Sequence, residues 1–379
     1  MKVVDLEVIP VSVPEATAYE TSLSLASDQQ TNTYDHVVVR IEGENGAVGW
    51  GEVAPTPFWP RGLTQQSCAS LIEEQLKPIV VGSDLFRIPR TIETMERRIS
   101  DMPFPICAVD IALYDILGKT VDRPVYDLLG GPKNADRSID LHYSIGIKSP
   151  EEMKEDAANA LESGYNAFKI KVGGDDPDSE REAIAAVTDV VEDAKIRVDA
   201  NQGWMPDEAI RTIRMLDEAA NGLVLVEQPV AYDDLNGLRR VKEAVNPPIL
   251  ADEACFSPRD VAAIARQDAA DIVNIKLAKT GGLYNGRQVA TVAKAHGLTC
   301  FMGGMVELGI GLAANAHFTL ASPEITYPTG ALNIHAASSL LEDDAQWSAT
   351  DGEFSVPDKP GLGIEIDHNA LSKYRTDEK

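Results

Sequence analysis

Apolar residues fall at two different periods along this chain. Val3–Val13 and His36–Glu42 alternate or run β-branched, which predicts strands, and Gly43–Gly51 carries turn residues. Two helical stretches follow, Ser67–Val80 and Pro105–Gly118; in the second, Ala108, Ile111, Ala112, Asp115 and Ile116 recur at helical spacing. Up to about residue 130 the pattern therefore predicts an α+β module, strands first and helices after. Near Asp140 the rhythm changes. Short apolar runs begin near residues 140, 167, 197, 223, 248, 271 and 298, with a weaker eighth near 325, and amphipathic stretches such as Pro150–Ser163, Asp207–Ala220 and Tyr284–His296 lie between them. A strand plus a helix at that repeat length is a βα unit, and eight in succession close a parallel barrel. Gly361–Asp367 reads as a last short strand that returns to the N-terminal module. The expected fold is α/β: a modified TIM barrel over residues 131–354, with an α+β cap over 1–130 completed by 355–379.

In such a barrel, chemistry sits at the C-terminal ends of the strands. The second run, Ala167–Val172, places Lys169 and Lys171 two apart, on one face of a strand. The third run ends in Asp199, the fourth in Glu227, the fifth in Asp252 and the sixth in Lys276. Three carboxylates converging on one point repel each other unless a cation lies among them, and all-oxygen ligation suits Mg²⁺, with Mn²⁺ as its usual substitute. Lys171 and Lys276 flank the carboxylates as two proton carriers. Lys169, as a second cation, is expected to lower the Lys171 pKa toward neutrality, as a general base requires. A lone Asp at a strand end is usually a helix cap. Capping does not account for five charged residues at consecutive strand ends.

Composition narrows the partners. The chain has 379 residues, with 34 Lys+Arg against 60 Asp+Glu and a net charge of −26. That surface repels phosphate backbones and anionic lipid, so neither nucleic acid nor a membrane is an expected partner. Its plain reading is a solvated surface, in clusters such as Gly174–Glu182, Glu342–Asp344 and Asp377–Lys379. Cys68, Cys107, Cys255 and Cys300 stand far apart with no metal-binding spacing, and read as reduced core thiols of a cytoplasmic protein. No signal-peptide core and no run of about 18 apolar residues occurs.

The runs KIKVG, VDANQGW, VEQP, ADEA and NIKLAKTGG, in this order, resemble the enolase superfamily, and more narrowly its muconate lactonizing enzyme subgroup. The resemblance extends to AVDIALYDILGK at Ala108–Lys119 and covers nearly the whole chain. It implies a cap over a modified barrel, Asp199, Glu227 and Asp252 as Mg²⁺ ligands, and Lys171 and Lys276 as the acid/base pair. It further implies that Lys169 binds the substrate carboxylate, that Asn201 and Glu253 support the ligands, and that Glu307 lies at the end of the seventh strand. A homo-oligomer is expected by the same analogy. The mandelate racemase subgroup needs a histidine after the seventh strand, where this chain has Gly303-Gly304-Met305.

The implied chemistry is removal of the α-proton of a small carboxylate substrate through a metal-stabilised enediolate. Racemisation or epimerisation, muconate-type cycloisomerisation, and syn-dehydration of the succinylbenzoate synthase type all share this machinery. A binding protein that has lost catalysis is the alternative from another class; it would be expected to lack one of the charged residues. Specificity falls to the cap loops and the eighth strand. Glu15–Thr33 holds no Lys or Arg to clamp a second carboxylate, while Phe58 and Trp59 offer an aromatic wall and Arg61 one guanidinium. Dipeptide epimerases of the subgroup carry Asp-x-Asp after the eighth strand; here Thr326–Ala331 has no acid, which counts against a free-amine dipeptide. His36, His142, His317, His335 and His368 have no partner motif and read as structural.

Overall fold

The computed structural model describes residues 1–16, 19–22, 32–174, 176–191, 194–330, 335–343, 347 and 349–377. Much of the Glu15–Thr33 loop, Asp175, Ala331, Asp344, Glu378 and Lys379 lie outside the described residues.

The chain opens with an antiparallel sheet of β1 (Val3–Pro14), β2 (Thr33–Gly43) and β3 (Val48–Val53). Its helices are α1 (Gln65–Leu71), α2 (Ile88–Arg98) and α3 (Pro103–Val121). Two expectations are corrected here. Gly43–Gly51 is not all turn, because Val48–Val53 pairs with β2. The glycines that suggested a turn serve close packing: a Cβ on Gly49 or Gly51 would collide with the Ala112 or Ala108 carbonyl of α3. The Ser67–Val80 helix is interrupted, since Ile72–Leu76 forms a π-helical turn before Lys77–Val80 resumes. Helix α2 has no counterpart in the sequence reading.

The barrel strands are β4 (Ser138–Ile145), β5 (Ala167–Lys171), β6 (Lys195–Asp199), β7 (Val226–Glu227), β8 (Ile249–Ala251), β9 (Ile272–Ile275), β10 (Thr299–Met302) and β11 (Thr329–Gly330). Their hydrogen-bonded order is β10-β9-β8-β7-β6-β5-β4-β11, and Thr329 Oγ1 donates to the Met302 carbonyl at 2.8 Å, drawing β11 toward β10. The result is a nearly closed parallel eight-stranded barrel under an antiparallel cap. Helices α4 (Pro150–Glu162), α5 (Pro177–Val191), α6 (Pro206–Ala219), α7 (Leu235–Ala244), α8 (Pro258–Gln267), α9 (Leu277–Thr280), α10 (Leu283–Ala295) and α11 (Gly309–Leu320) follow the strands. Local chemistry starts several of them. Ser149 and Glu152 form a capping box on α4, and Ser257 caps α8. Helix α10 is capped from the other module: Asp110 of α3 accepts from the backbone N–H of Leu283 and Tyr284.

The barrel interior has its own apolar floor of Leu225, Leu250, Ile272 and Phe301. Gly361–Asp367 is not a strand. It makes isolated bridges, Gly361 to Pro124 and Ile366 to Leu341, because Pro360 and the left-handed Gly361 and Gly363 interrupt any ladder. The short strand of the tail is β12 (Glu353–Ser355), antiparallel to β4. Helix α12 (His368–Tyr374) then packs on β1, and Arg375 pairs with Glu7 at 2.9 Å. Among the described residues no helix is long and apolar enough to cross a membrane.

Candidate active site

Parallel register places the charged residues at one level. Lys171 lies beside Asp199, and Asp199 beside Glu227, as Cα partners on neighbouring strands. Asp252 follows β8 and Lys276 follows β9. All five are buried, the three carboxylates completely.

The lysines neutralise the carboxylates directly. Lys171 Nζ donates to Asp199 Oδ2 and to Asn201 Oδ1, both at 2.6 Å. Lys169 Nζ is 3.3 Å from Asp199 Oδ2 and 3.9 Å from Glu227 Oε2. Lys276 Nζ is 2.7 Å from Asp252 Oδ2, and Lys279 Nζ is 3.0 Å from Asp252 Oδ1. The two contacts to Asp252 have ion-pair distance but lie off hydrogen-bond geometry. Asn201 holds the strand ends together: its Nδ2 donates to Glu253 Oε1 at 2.8 Å and its backbone N–H to Asp199 Oδ1 at 3.1 Å. It does so from a left-handed backbone (φ 40°), which Asn tolerates better than most residues.

Titration follows from burial and these pairs. Burial opposes the charge on Lys171, but Asp199, with Tyr19 and Glu227 behind it, outweighs burial and holds the lysine above its ordinary value. This corrects the expectation that Lys169 lowers it: Lys169 shares its charge with the same carboxylate oxygen. Lys276 is raised likewise, with Asp252 overcoming burial. Burial would raise Asp199 and Asp252, yet their lysines depress both, Asp252 to about 2. Burial and the neighbouring Asp252 push Glu253 up to about 8.

Further residues escaped the sequence reading. Arg197, two before Asp199, sits beneath the site with its guanidinium 3.9 Å from the Phe301 ring centre and 3.8 Å from Glu227 Oε2. His142 Nδ1 lies 3.0 Å from the Pro328 carbonyl and must donate to it, which leaves Nε2 to accept from Arg197 at 3.0 Å. Burial, then Arg197, lower the His142 pKa well below its usual value, so the ring is neutral. Asn274, two before Lys276, donates to Glu227 Oε1 at 2.8 Å, and Gln228 Oε1 accepts from the Asp252 N–H at 2.9 Å. The signal was there for Arg197 and Asn274, since residues two apart on a strand share a face.

From the cap, Trp59 is buried with Lys276 Nζ 4.1 Å from its ring centre, while Phe58 is half-buried against the core. Arg61 turns away: it pairs with Asp101 at 3.1 Å and lies over Phe256. Glu307 is buried behind the seventh strand, accepting from Met305 N–H at 2.9 Å, with burial raising its pKa and Glu52 adding to that. No hydrogen bond or ion pair joins it to the lysines among the described residues.

The donor set fits a hard divalent cation. Glu227 Oε2, both oxygens of Asp252 and Glu253 Oε2 are buried with no hydrogen-bond donor, and every candidate ligand is oxygen. Among the described residues no three acids, histidines or cysteines are already drawn into a coordination sphere, because ammonium groups stand between them.

Residues 6–130 match the family model for the mandelate racemase / muconate lactonizing enzyme N-terminal domain, and residues 152–370 match the enolase C-terminal domain-like model. The chain belongs to this family of the enolase superfamily. It is 36% identical over 365 residues to L-Ala-D/L-Glu epimerase of Bacillus subtilis (strain 168), covering 96% of this chain and 97% of the relative. It is 30% identical over 342 residues to muconate cycloisomerase 1 of Rhodococcus opacus, covering 89% and 90%. A dipeptide epimerase from Enterococcus faecalis V583, solved with Mg and the dipeptide L-Leu-L-Tyr, superposes with a TM-score of 0.88 at 29% identity, covering 96% and 100%. The chain is an isomerase of the superfamily, within the range of racemases, epimerases and cycloisomerases.

Proposed function

We propose that this enzyme racemises or epimerises a small carboxylic acid at its α-carbon, using Lys171 and Lys276 as the two proton carriers. The observation that carries this reading is their placement. Lys171 ends the second barrel strand and Lys276 follows the sixth, four places apart in a ring of eight, and each grips a different carboxylate. Two carriers across a ring suit a proton taken from one face of a carbon and returned to the other. Cycloisomerisation needs only one.

Asp199, Glu227 and Asp252 would hold Mg²⁺, with Mn²⁺ as its substitute; such an ion supplies the charge that stabilises a substrate carboxylate as its α-carbon loses a proton. Lys169 binds that carboxylate, and Asn201 orients Lys171 through the 2.6 Å hydrogen bond. Asp199, once its charge is shared with a divalent cation, no longer holds the Lys171 proton as tightly. Glu253 supports Asn201, Trp59 and Phe58 wall the site from the cap, and Glu307 closes the end of the seventh strand.

The substrate class is an amino-acid derivative without a free ammonium. Thr326–Gly330 contains no acid to pair one, and the Glu15–Thr33 loop has no Lys or Arg for the second carboxylate of a muconate. On this reading residues 1–130, with 355–379 returning to them, cover the site and 131–354 carry it. Four buried free thiols support a cytoplasmic setting. The homo-oligomer expected from the resemblance belongs to the same reading, and light scattering checks it.

The test is chiral chromatography after incubation with Mg²⁺ and a panel of N-acyl amino acids, free dipeptides and cis,cis-muconate. Interconversion of N-acyl enantiomers ahead of dipeptides is the expected result. Faster turnover of dipeptides overturns the substrate class, and lactone formation from muconate overturns the reaction.

A further inference from the structure

Lys279 has so far been described only as a counter-charge to Asp252, yet it is one of the largest fully buried side chains, at 0% exposure. Removing an ammonium from water costs several kcal/mol unless its surroundings replace the lost hydrogen bonds. Here they do. Lys279 Nζ donates to the backbone carbonyl of Asp252 and, at 2.7 Å, to that of Cys255, and it stands 3.0 Å from Asp252 Oδ1. The Phe256 ring covers it, with its centre 5.7 Å away.

Its position on the chain matters. Lys279 lies in the single helical turn α9 that begins after Lys276, and its own N–H donates to the Lys276 carbonyl at 3.1 Å. That turn therefore sends two ammonium groups to the two oxygens of Asp252. They differ in kind. Lys276 touches only the carboxylate there and has the Trp59 face as its other neighbour. Lys279 also holds the backbone on both sides of Glu253 and Ala254, so it fixes where the Asp252 carboxylate starts from.

We infer that Lys279 is a positioning residue for the cation site: it sets the Asp252 carboxylate in the geometry from which it takes a divalent ion, while Lys276 competes for the same carboxylate. This rests on the proposed role of Asp252 as a ligand. Coulomb's law makes the claim testable, because removing any cation from beside Asp252 should by charge alone strengthen binding of a second cation. A positioning role predicts the reverse for Lys279 and leaves Lys276 on the Coulomb side.

The experiment is a Mn²⁺ titration of the full-length protein without substrate, read by electron paramagnetic resonance of free Mn²⁺. Wild type is compared with Lys276→Met, Lys279→Met and Lys279→Gln, with thermal unfolding recorded on each. Lys279→Met should weaken Mn²⁺ binding by about tenfold, the scale of lost support for a ligand. Lys276→Met should bind Mn²⁺ as tightly as wild type or tighter. Lys279→Gln keeps an N–H donor for the turn, so it should stay folded even if the Met variant unfolds, and it should still bind more weakly than wild type. Lys279 variants that bind Mn²⁺ as well as wild type, or tighter, overturn the inference and leave the metal site standing. A wild type that binds no Mn²⁺ overturns the metal site and the inference with it.

Discussion

The Lys276 ammonium lies 4.1 Å from the centre of the Trp59 indole and 2.7 Å from Asp252 Oδ2, so a cap residue and a barrel carboxylate hold this lysine between them. Such a cation–π contact is worth about 0.5–2 kcal/mol. Trp59→Leu should lower kcat/KM by about tenfold, with Trp59→Phe between it and wild type. Steady-state kinetics on both enantiomers of the preferred substrate checks this. Equal rates for wild type and Trp59→Leu would remove the cap from the chemistry.

Asp199, Glu227 and Asp252 predict a metal requirement that is visible in stability as well as rate. Chelation should abolish activity, and added Mg²⁺ or Mn²⁺ should restore it. A ligand at 100 times its Kd stabilises the fold that binds it by about 2.7 kcal/mol, so Mg²⁺ should raise Tm by a few degrees. Glu227→Gln should lose most of that rise in differential scanning fluorimetry.

Asp110 predicts a pH dependence of stability that is unrelated to catalysis. Burial lifts its carboxyl from the ordinary 3.8 to about 8, against the two backbone N–H groups of Leu283 and Tyr284 that favour the charge. The folded chain therefore keeps a proton that the unfolded chain releases. The contribution is whole below about pH 4 and is lost as pH rises toward 8, at a slope on the order of 1.4 kcal/mol per pH unit. Asp110→Asn keeps an acceptor for the cap of α10 and should flatten that part of the profile in urea melts. An unchanged slope in this variant would show that Asp110 is not its source.

Gly51 predicts how tightly sheet and helix are pressed together. A Cβ there meets the Ala108 carbonyl, a backbone atom that cannot swing aside. Gly51→Ala should cost about 3 kcal/mol or more through overpacking, measured by chemical denaturation, whereas Gly46→Ala, where the space is open, should cost about 1 kcal/mol from its left-handed φ of 79°.

The carboxylates were legible in the sequence because each ends an apolar run, where a charge is buried only if a counter-charge or a metal meets it. The barrel was legible because its repeat survives even where a strand shrinks to Val226–Glu227. Strand β3 was not, since the glycines that let α3 approach are the residues that mark turns elsewhere. The lysine pKa was misjudged for a similar reason: spacing put Lys169 next to Lys171 but could not show that both point at one oxygen of Asp199. Lys279 was passed over because its partners, the Asp252 and Cys255 carbonyls, are set by tertiary packing.

The central claim is two-sided proton transfer by Lys171 and Lys276, and proton NMR in D₂O with Mg²⁺ tests it most directly. Each enantiomer of the preferred substrate is given to wild type, Lys171→Ala and Lys276→Ala. Wild type should wash deuterium into the α-position of both enantiomers. Each variant should lose interconversion by about 10² to 10⁴ and keep exchange on only one enantiomer, the opposite one in the two variants. Exchange that survives on both enantiomers in either variant, or that fails on the same enantiomer in both, would contradict the assignment of one lysine to each face.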